Sequence, residues 1–270
     1  MFLGLYRGKL LSGATQSNLT LYQYNICPFC CKVKAFMDWK GINYSMVDVN
    51  PLTKSEISFS KDYRKVPIRM YRLFNHLIHH LVMRGSTQIN DSSAILESLV
   101  SEMKLSGMLS DKFKDSSDAE INKWLNFVDK ELAVLLFPNI TRSMLESWEA
   151  FGYINEVPHF NPLQKIVLRI SGALAMRAAN GKIKKKYNIE DERSALVNCV
   201  NSWIREGLNS QKFHGGDSPD LADVTVYGCL RSIEKFTTFG ELLGAADKEL
   251  LIWYNRMRQS IPESSCVSRT

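Results

Sequence analysis

Leu19, Leu21 and their neighbours form a short apolar run over residues 18–24, which predicts a strand ending near Tyr24. The period then changes. Phe29, Val33, Phe36 and Met37 recur at i, i+4, i+7 and i+8, one face of an amphipathic helix. Pro28 suits the first helical position, where its missing N–H costs nothing, and Lys40-Gly41 is a normal helix stop. Tyr44, Met46, Val47 and Val49 mark a second strand, ended by Asn50-Pro51. Strand, helix and strand at this spacing predict a βαβ unit with parallel strands. Residues 55–60 read as a short helix. In Arg64-Lys65-Val66-Pro67-Ile68 a proline interrupts an apolar run, and a cis peptide at Val66-Pro67 just before a strand would reconcile the two. Asn90-Asp91-Ser92-Ser93 opens the next helix, with Asp91 or Ser92 as its N-cap.

After Met108 the pattern becomes polar and then wholly helical. Ile121, Leu125, Val128, Leu132 and Leu135 mark one helix, stopped by Pro138. Residues 163–187 form a long helix, apolar and then basic. Leu196, Val200, Trp203, Ile204 and Leu208 mark another. Asp220-Leu221-Ala222-Asp223 is a capping-box variant that starts a buried helix. The last helix covers about residues 248–260, and the tail 261–270 is expected to fray. The chain therefore divides into a leader (1–17), an α/β domain (18–105), a linker (106–120), an all-α domain (121–262) and a tail (263–270).

Composition narrows the class without naming a function. With 270 residues, 45% hydrophobic and 23% charged, the chain is large enough for two globular domains. Its net charge of +6 is modest, and no nucleic-acid-binding signature accompanies it, so no nucleic-acid partner is expected. Lys182, Lys184, Lys185 and Lys186 read as a solvated helix end, with contact to an anionic membrane surface left open. No run of 18 apolar residues occurs, so no transmembrane helix is expected in this chain. The six cysteines, three together and three scattered, do not form a secreted disulfide framework and fit a reducing compartment better.

The chemistry concentrates at Cys27-Pro28-Phe29-Cys30. A Cys-x-x-Cys pair serves redox chemistry, half of a zinc site, or neither. Zinc needs a second ligand pair, and none follows at finger spacing. His76, His79 and His80 likewise lack the acidic or thiol ligands that a metal site needs, so no metal is assigned. The helix-start position points to thiol chemistry instead. The dipole and free N–H groups there stabilise a thiolate, so Cys27 is the exposed nucleophile. Cys30, one turn on, is a resolving or packed thiol, and Cys31 is assigned to packing.

The segments around Leu19–Tyr24, Cys27–Cys30, Tyr63–Ile68 and Asn90–Ser93, taken in this order, resemble the membrane-associated prostaglandin E synthase 2 family. The Cys-Pro-Phe-Cys motif alone is only glutaredoxin-like. In the helical half, Phe137–Ile140, His214–Gly216 and Pro219–Gly228 are also similar to that family, and the last stretch to glutathione transferases generally. The resemblance implies a thioredoxin-like (glutaredoxin-like) α/β domain joined to an all-α glutathione-transferase-like domain, and a homodimer. It implies isomerisation of the endoperoxide lipid prostaglandin H2 to prostaglandin E2, with glutathione and haem as bound groups. Carried onto this chain, Cys27 is the catalytic thiol and Tyr24 the tyrosine that hydrogen-bonds it, with Cys30 beside them. Val66 and Pro67 would contact the glutathione backbone, and Asp91 and Ser92 its γ-glutamyl end. The implied location is the cytoplasmic side of a Golgi or mitochondrial membrane, or the cytosol, with peripheral membrane contact.

Two departures from the family stand out. Residues 69–89 are longer than its strand–turn–strand and read as a hairpin insertion or as translated non-coding sequence, of which we favour the second. Residues 101–120 are shorter than its linker, and no hydrophobic anchor precedes residue 18. Two other functions compete with the isomerase: a glutaredoxin-like, glutathione-dependent dithiol oxidoreductase using Cys27 and Cys30, and a haem- or glutathione-binding module with little turnover.

Overall fold

The computed structural model describes residues 19–72, 86–110, 112–262 and 264–270. His76, His79 and His80 lie outside the described residues, as does the middle of the long 69–89 stretch. Strands β1 (Leu19–Gln23) and β2 (Tyr44–Asp48) flank helix α1 (Pro28–Trp39) and pair in parallel, as the βαβ pattern predicts. Lys40 is the C-cap of α1, and Gly41 turns out of it at φ +63. A short 3₁₀ turn (Ser55–Ile57) leads to β3 (Ile68–Arg72), which runs antiparallel to β1 and to β4 (Ser86–Asn90). The β3–β4 register runs unbroken from Ile68↔Asn90 to Arg72↔Ser86, so both ends of the long stretch belong to one hairpin. Helix α2 (Ser92–Leu105) follows, its N-cap Asp91 accepting from the Ser93 N–H at 2.8 Å.

The sheet order is β4-β3-β1-β2-β5, and the fifth strand was not expected. Residues 261–270, read as a frayed tail, instead place β5 (Cys266–Arg269) parallel to β2. Its anchor is electrostatic: Arg269 Nε donates at 2.6 Å to Asp48, which is only 1% exposed. Side chains alternate across the sheet as a period of two requires. Leu19 and Leu21 join the helix-side core, while Tyr22, Ile68 and Met70 form a smaller apolar cluster on the other face with Ile57, Tyr24 and Val66.

The helical part comprises α3 (Ala119–Phe127), α4 (Ala133–Asn139), α5 (Met144–Ala150), α6 (Pro162–Lys186), α7 (Glu192–Ser202), α8 (Leu221–Arg231), α9 (Thr237–Ala245) and α10 (Lys248–Ser260). A π-turn over Val128–Leu132 joins α3 to α4, and Pro138 falls inside α4 one residue before its end instead of stopping it. Trp203 centres the core here, edge-on to Trp124 and Trp253 and stacked on His214. The capping box of α8 is formed: Asp220 accepts from Ala222 and Asp223 N–H groups, and Asp223 accepts from the Asp220 N–H. Asp223 further accepts from Trp253 Nε1 and from the His214 and Gly215 N–H groups, so one buried carboxylate fixes the start of α8.

Helix α1 lies between the sheet core and α8, and every residue from Cys30 to Asp38 is buried. Gly228 makes this close approach feasible. A Cβ there would sit 2.6 Å from the Lys32 Cα and 2.9 Å from the Ala35 Cβ. The buried polar groups of α1 are all engaged. Lys32 pairs with Asp129, and Asp38 accepts from Arg231 at 2.9 Å and from the Tyr44 hydroxyl at 3.0 Å.

Candidate active site

Cys27 is the N-cap of α1, with extended backbone (φ −79, ψ 118) and Pro28 immediately inside the helix. It is partly exposed, whereas Cys30 and Cys31 are buried. The loop carrying it is held by the Cys27 N–H donating to the Tyr24 carbonyl at 3.1 Å. The Cys27 thiol is lowered from its ordinary value. A hydrogen bond with the Cys30 thiol is the largest cause, followed by the backbone N–H groups of Cys30 and Phe29 and the charge of Lys34, while burial opposes them. Cys30 moves the other way, because burial and its bond to Cys27 favour the protonated thiol. Two equivalent thiols in sequence thus become, in space, one whose ionisation is favoured and one that stays its hydrogen-bond donor. Cys31 is raised by burial, and its Sγ donates to the Asn25 carbonyl at 3.3 Å, consistent with packing.

Three tyrosines surround the pair. Tyr24 is pushed up to about 12, first by burial and then by the two thiols. Tyr63 is pushed up to about 12 by burial and by the Asp91 charge, and its hydroxyl meets the Asp91 backbone N–H. Tyr153, from the helical part, is raised by burial and by Tyr24. All three stay phenols near neutral pH and so keep a hydroxyl proton that they can donate. Tyr63 and Tyr153 had no role in the sequence reading. Tyr63 lies inside the Tyr63–Ile68 segment, but nothing local signals that Tyr153 belongs to a small core that packs against Ile26, beside a thiol more than a hundred residues away.

The Val66-Pro67 peptide is cis, as proposed from the sequence. Pro67 is buried and Val66 half-buried, just ahead of the β3 ladder, which begins at Ile68. The loop before it is clamped: Arg64 donates to the Ile57 and Lys54 carbonyls, and Lys54 Nζ donates back to the Arg64 carbonyl at 2.8 Å. Asp91 is exposed at φ +75, a region where non-glycine backbone is strained. Ser92 is buried in the first turn of α2. Tyr63 bridges these elements, since it senses Asp91 and both thiols of the pair. Cys27, Cys30, Tyr24 and Asp91 therefore border one region, with Val66 and Tyr24 sharing an apolar cluster with Tyr63.

Behind the thiol lies a polar chain that the sequence did not reveal. Lys34, 9% exposed, donates to Gln23 at 2.9 Å and to Asn25 at 3.1 Å. Gln23 donates to Asp48 at 2.7 Å, and Asp48 holds Arg269. The partners of Lys34 are neutral amides, so its charge is not paired off and favours ionisation of the Cys27 thiol. Among the described residues no cluster of three or more His, Cys, Asp and Glu side chains is arranged to hold a metal ion. None of their helices is long and apolar enough to cross a membrane.

Residues 21–104 match the model of the glutathione S-transferase N-terminal domain. Among solved structures, a glutathione transferase from Phanerochaete chrysosporium covers 91% of this chain and 98% of its own at TM-score 0.59 and 12% identity. A glutathione S-transferase of Ceriporiopsis subvermispora, solved in complex with glutathione, covers 92% and 100% at TM-score 0.58 and 13% identity. These likenesses establish the fold: a thioredoxin-like domain with a mixed sheet, joined to a helical domain. Prostaglandin E synthase 2 of Mus musculus is 31% identical over 92% of this chain and 72% of its own length. Prostaglandin E synthase 2 of Danio rerio is 32% identical over 91% of this chain and 72% of its own length, and the chain belongs to the prostaglandin E synthase 2 family.

Proposed function

We propose that this chain isomerises the endoperoxide prostaglandin H2 to prostaglandin E2 at Cys27, beside a glutathione-binding cleft. The supporting observation is the asymmetry of the thiol pair: Cys27 is partly exposed at a helix N-terminus with its thiol lowered, and Cys30 is buried as its donor. The Cys27 thiolate attacks one endoperoxide oxygen and forms an S–O bond as the O–O bond breaks. The other oxygen leaves as an alkoxide and takes up a proton, with Tyr24 or Tyr63 as the nearby donors. Loss of the ring proton on the carbon bearing the S–O oxygen forms the ketone and returns the electron pair to sulfur. No net oxidation occurs, so one thiol suffices.

Glutathione fits the residues present. The cis peptide at Val66-Pro67 offers a strand-like edge for its backbone, and the exposed Asp91 carboxylate suits its ammonium. The start of α2 suits its γ-glutamyl carboxylate. For haem, the thiolate donor at the site is Cys27 itself, and ligation there would remove the group that isomerisation uses.

A product assay with the endoperoxide tests the reading. Wild type and Cys30→Ser form prostaglandin E2 and Cys27→Ser does not; equal turnover by Cys27→Ser would refute it. The contact between the two thiols also suits a dithiol oxidoreductase, which would show as disulfide reduction by glutathione that Cys30→Ser abolishes.

A further inference from the structure

A cavity of about 450 Å³ lies between the β2–β5 edge of the sheet and the helical domain. That falls in the range of about 300–1,000 Å³ that small-molecule sites occupy. The loop before α1 lines it with Ile26, α1 with Lys34, β2 with Met46 and β5 with Arg269. Tyr153 and Phe236 line it from the helical part. Cys27, Tyr24, Tyr63, Val66 and Asp91 do not line it, so it is not the cleft proposed for glutathione.

Seven charged side chains line the cavity, and five of them are matched. Arg231 pairs with Asp38 at 2.9 Å, Lys235 with Glu156 at 3.2 Å, and Glu234 with Arg258. Glu149 accepts from the Thr237 N–H and hydroxyl, each at 3.0 Å. The remaining two are cations. Lys34 is nearly buried and has no carboxylate partner among the described residues, only the amides of Gln23 and Asn25. Arg269 gives its Nε to Asp48, but its Nη2 is buried and no described residue accepts from it. A buried donor without an acceptor is costly, and an anion in the cavity would supply one. Gln23 and Asp48 link the two cations by hydrogen bonds, so both stand on one wall. We propose that this cavity binds a monocarboxylate with a short apolar body, its carboxylate between Lys34 and the free arm of Arg269 and its body against Ile26, Tyr153 and Phe236.

A multiply charged anion fits less well. Only two donors are unmatched, and Glu149, Glu156 and Glu234 line the same cavity and would repel further negative charge. Occupancy reaches the thiol through Lys34, whose charge favours ionisation of Cys27. A carboxylate paired with Lys34 offsets that charge, so Cys27 becomes harder to ionise. The coupling is reciprocal: ionising Cys27 weakens carboxylate binding by the same factor. The cavity thus tunes the nucleophile from outside the cleft, whatever reaction Cys27 performs.

The test uses the full chain with octanoate as probe and octanol as its uncharged match. In calorimetric titration wild type binds octanoate, and octanol about tenfold more weakly or worse. Lys34→Met and Arg269→Lys each weaken octanoate binding about tenfold. Arg269→Lys keeps a cation for Asp48 and removes only the free arm, so its melting temperature stays close to wild type. In parallel, mass spectrometry follows iodoacetamide alkylation of Cys27 against pH. Octanoate moves the wild-type midpoint to higher pH and leaves that of Lys34→Met where it was. Octanol binding as tight as that of octanoate would overturn the proposal, as would no octanoate binding at all. Unchanged octanoate binding by either variant would place the ligand elsewhere and overturn it too. A wild-type midpoint that saturating octanoate does not move would overturn the coupling to the thiol.

Discussion

Replacing Gly228 by alanine tests the contact on which the site rests. The added methyl would lie 2.6 Å from the Lys32 Cα and 2.9 Å from both the Ala35 Cβ and the Cys31 carbonyl oxygen. Carbon atoms pack at about 3.5–4.0 Å, so α1 and α8 must separate by roughly 1 Å. Two of the three clashing atoms are backbone, and no rotamer change relieves them. Overpacking of this kind costs about 1–3 kcal/mol. The helix preference for alanine over glycine returns about 1 kcal/mol. With three simultaneous clashes the upper range applies, leaving a net loss of about 2 kcal/mol. For a chain of this size that lowers the melting temperature by about 4–8 °C. Gly240 in α9 is the control, because nothing lies within 4 Å of its added Cβ. Gly240→Ala is expected to gain about 1 kcal/mol by propensity alone. Scanning calorimetry of the two variants decides the matter. A Gly228→Ala protein as stable as wild type would refute the claim that α1 is seated on bare α8 backbone.

Other predictions address the thiol and the sheet edge. Lys34→Met removes a cation that favours the Cys27 thiolate, so the pH profile of iodoacetamide alkylation shifts to higher pH; an unmoved profile would show that the charge does not reach the sulfur. The folded-state thiol of Cys27 titrates below its ordinary value near 9. It therefore contributes stability that is complete above about pH 9 and is lost as pH falls through the lowered value. The stability difference between wild type and Cys27→Ser should accordingly grow from acid to alkaline pH, and a flat difference would contradict the sign. Arg269→Ala strips the buried Asp48 of its cation. Because Arg269 is a quarter exposed, the loss is set at about 2 kcal/mol, below the range for fully buried pairs, and is read by thermal denaturation.

How much the sequence disclosed depended on how local the cause was. Strand β1 and helix α1 were legible because Pro28 and Gly41 punctuate the chain and the apolar period changes between them. The α8 capping box was legible because both aspartates sit within one turn. Strand β5 was not: Cys-Val-Ser-Arg has little apolar pattern, and its partner β2 lies more than two hundred residues upstream. Helix α9 carries two glycines in nine residues and went unmarked, although burial of Phe239 and Leu242 sustains it. Pro138 reads as a stop, yet it lies so near the end of α4 that the helix runs one residue past it. At the site, the Cys27-Cys30 spacing disclosed the pair, but which thiol ionises followed from burial and from N–H groups that only the folded chain supplies. Lys34, Gln23 and Asp48 look like unrelated polar residues in sequence and become a chain only through the β1–β2 register.

The fifth strand makes the thiol domain discontinuous. Its sheet draws four strands from residues 19–90 and the last from residues 266–269, with the helical domain between. During synthesis the β2 edge therefore stays open until the helical domain has emerged. Asp48, which is tied through Gln23 to the lysine behind the thiol, meets Arg269 only then. The order of chain growth thus sets the order of assembly: the nucleophile's helix forms early, and the edge strand that supports its polar chain arrives among the last parts made. A fragment ending before residue 266 would retain Cys27, Cys30 and the Lys34–Gln23–Asp48 chain and lack the strand whose Arg269 pairs with Asp48.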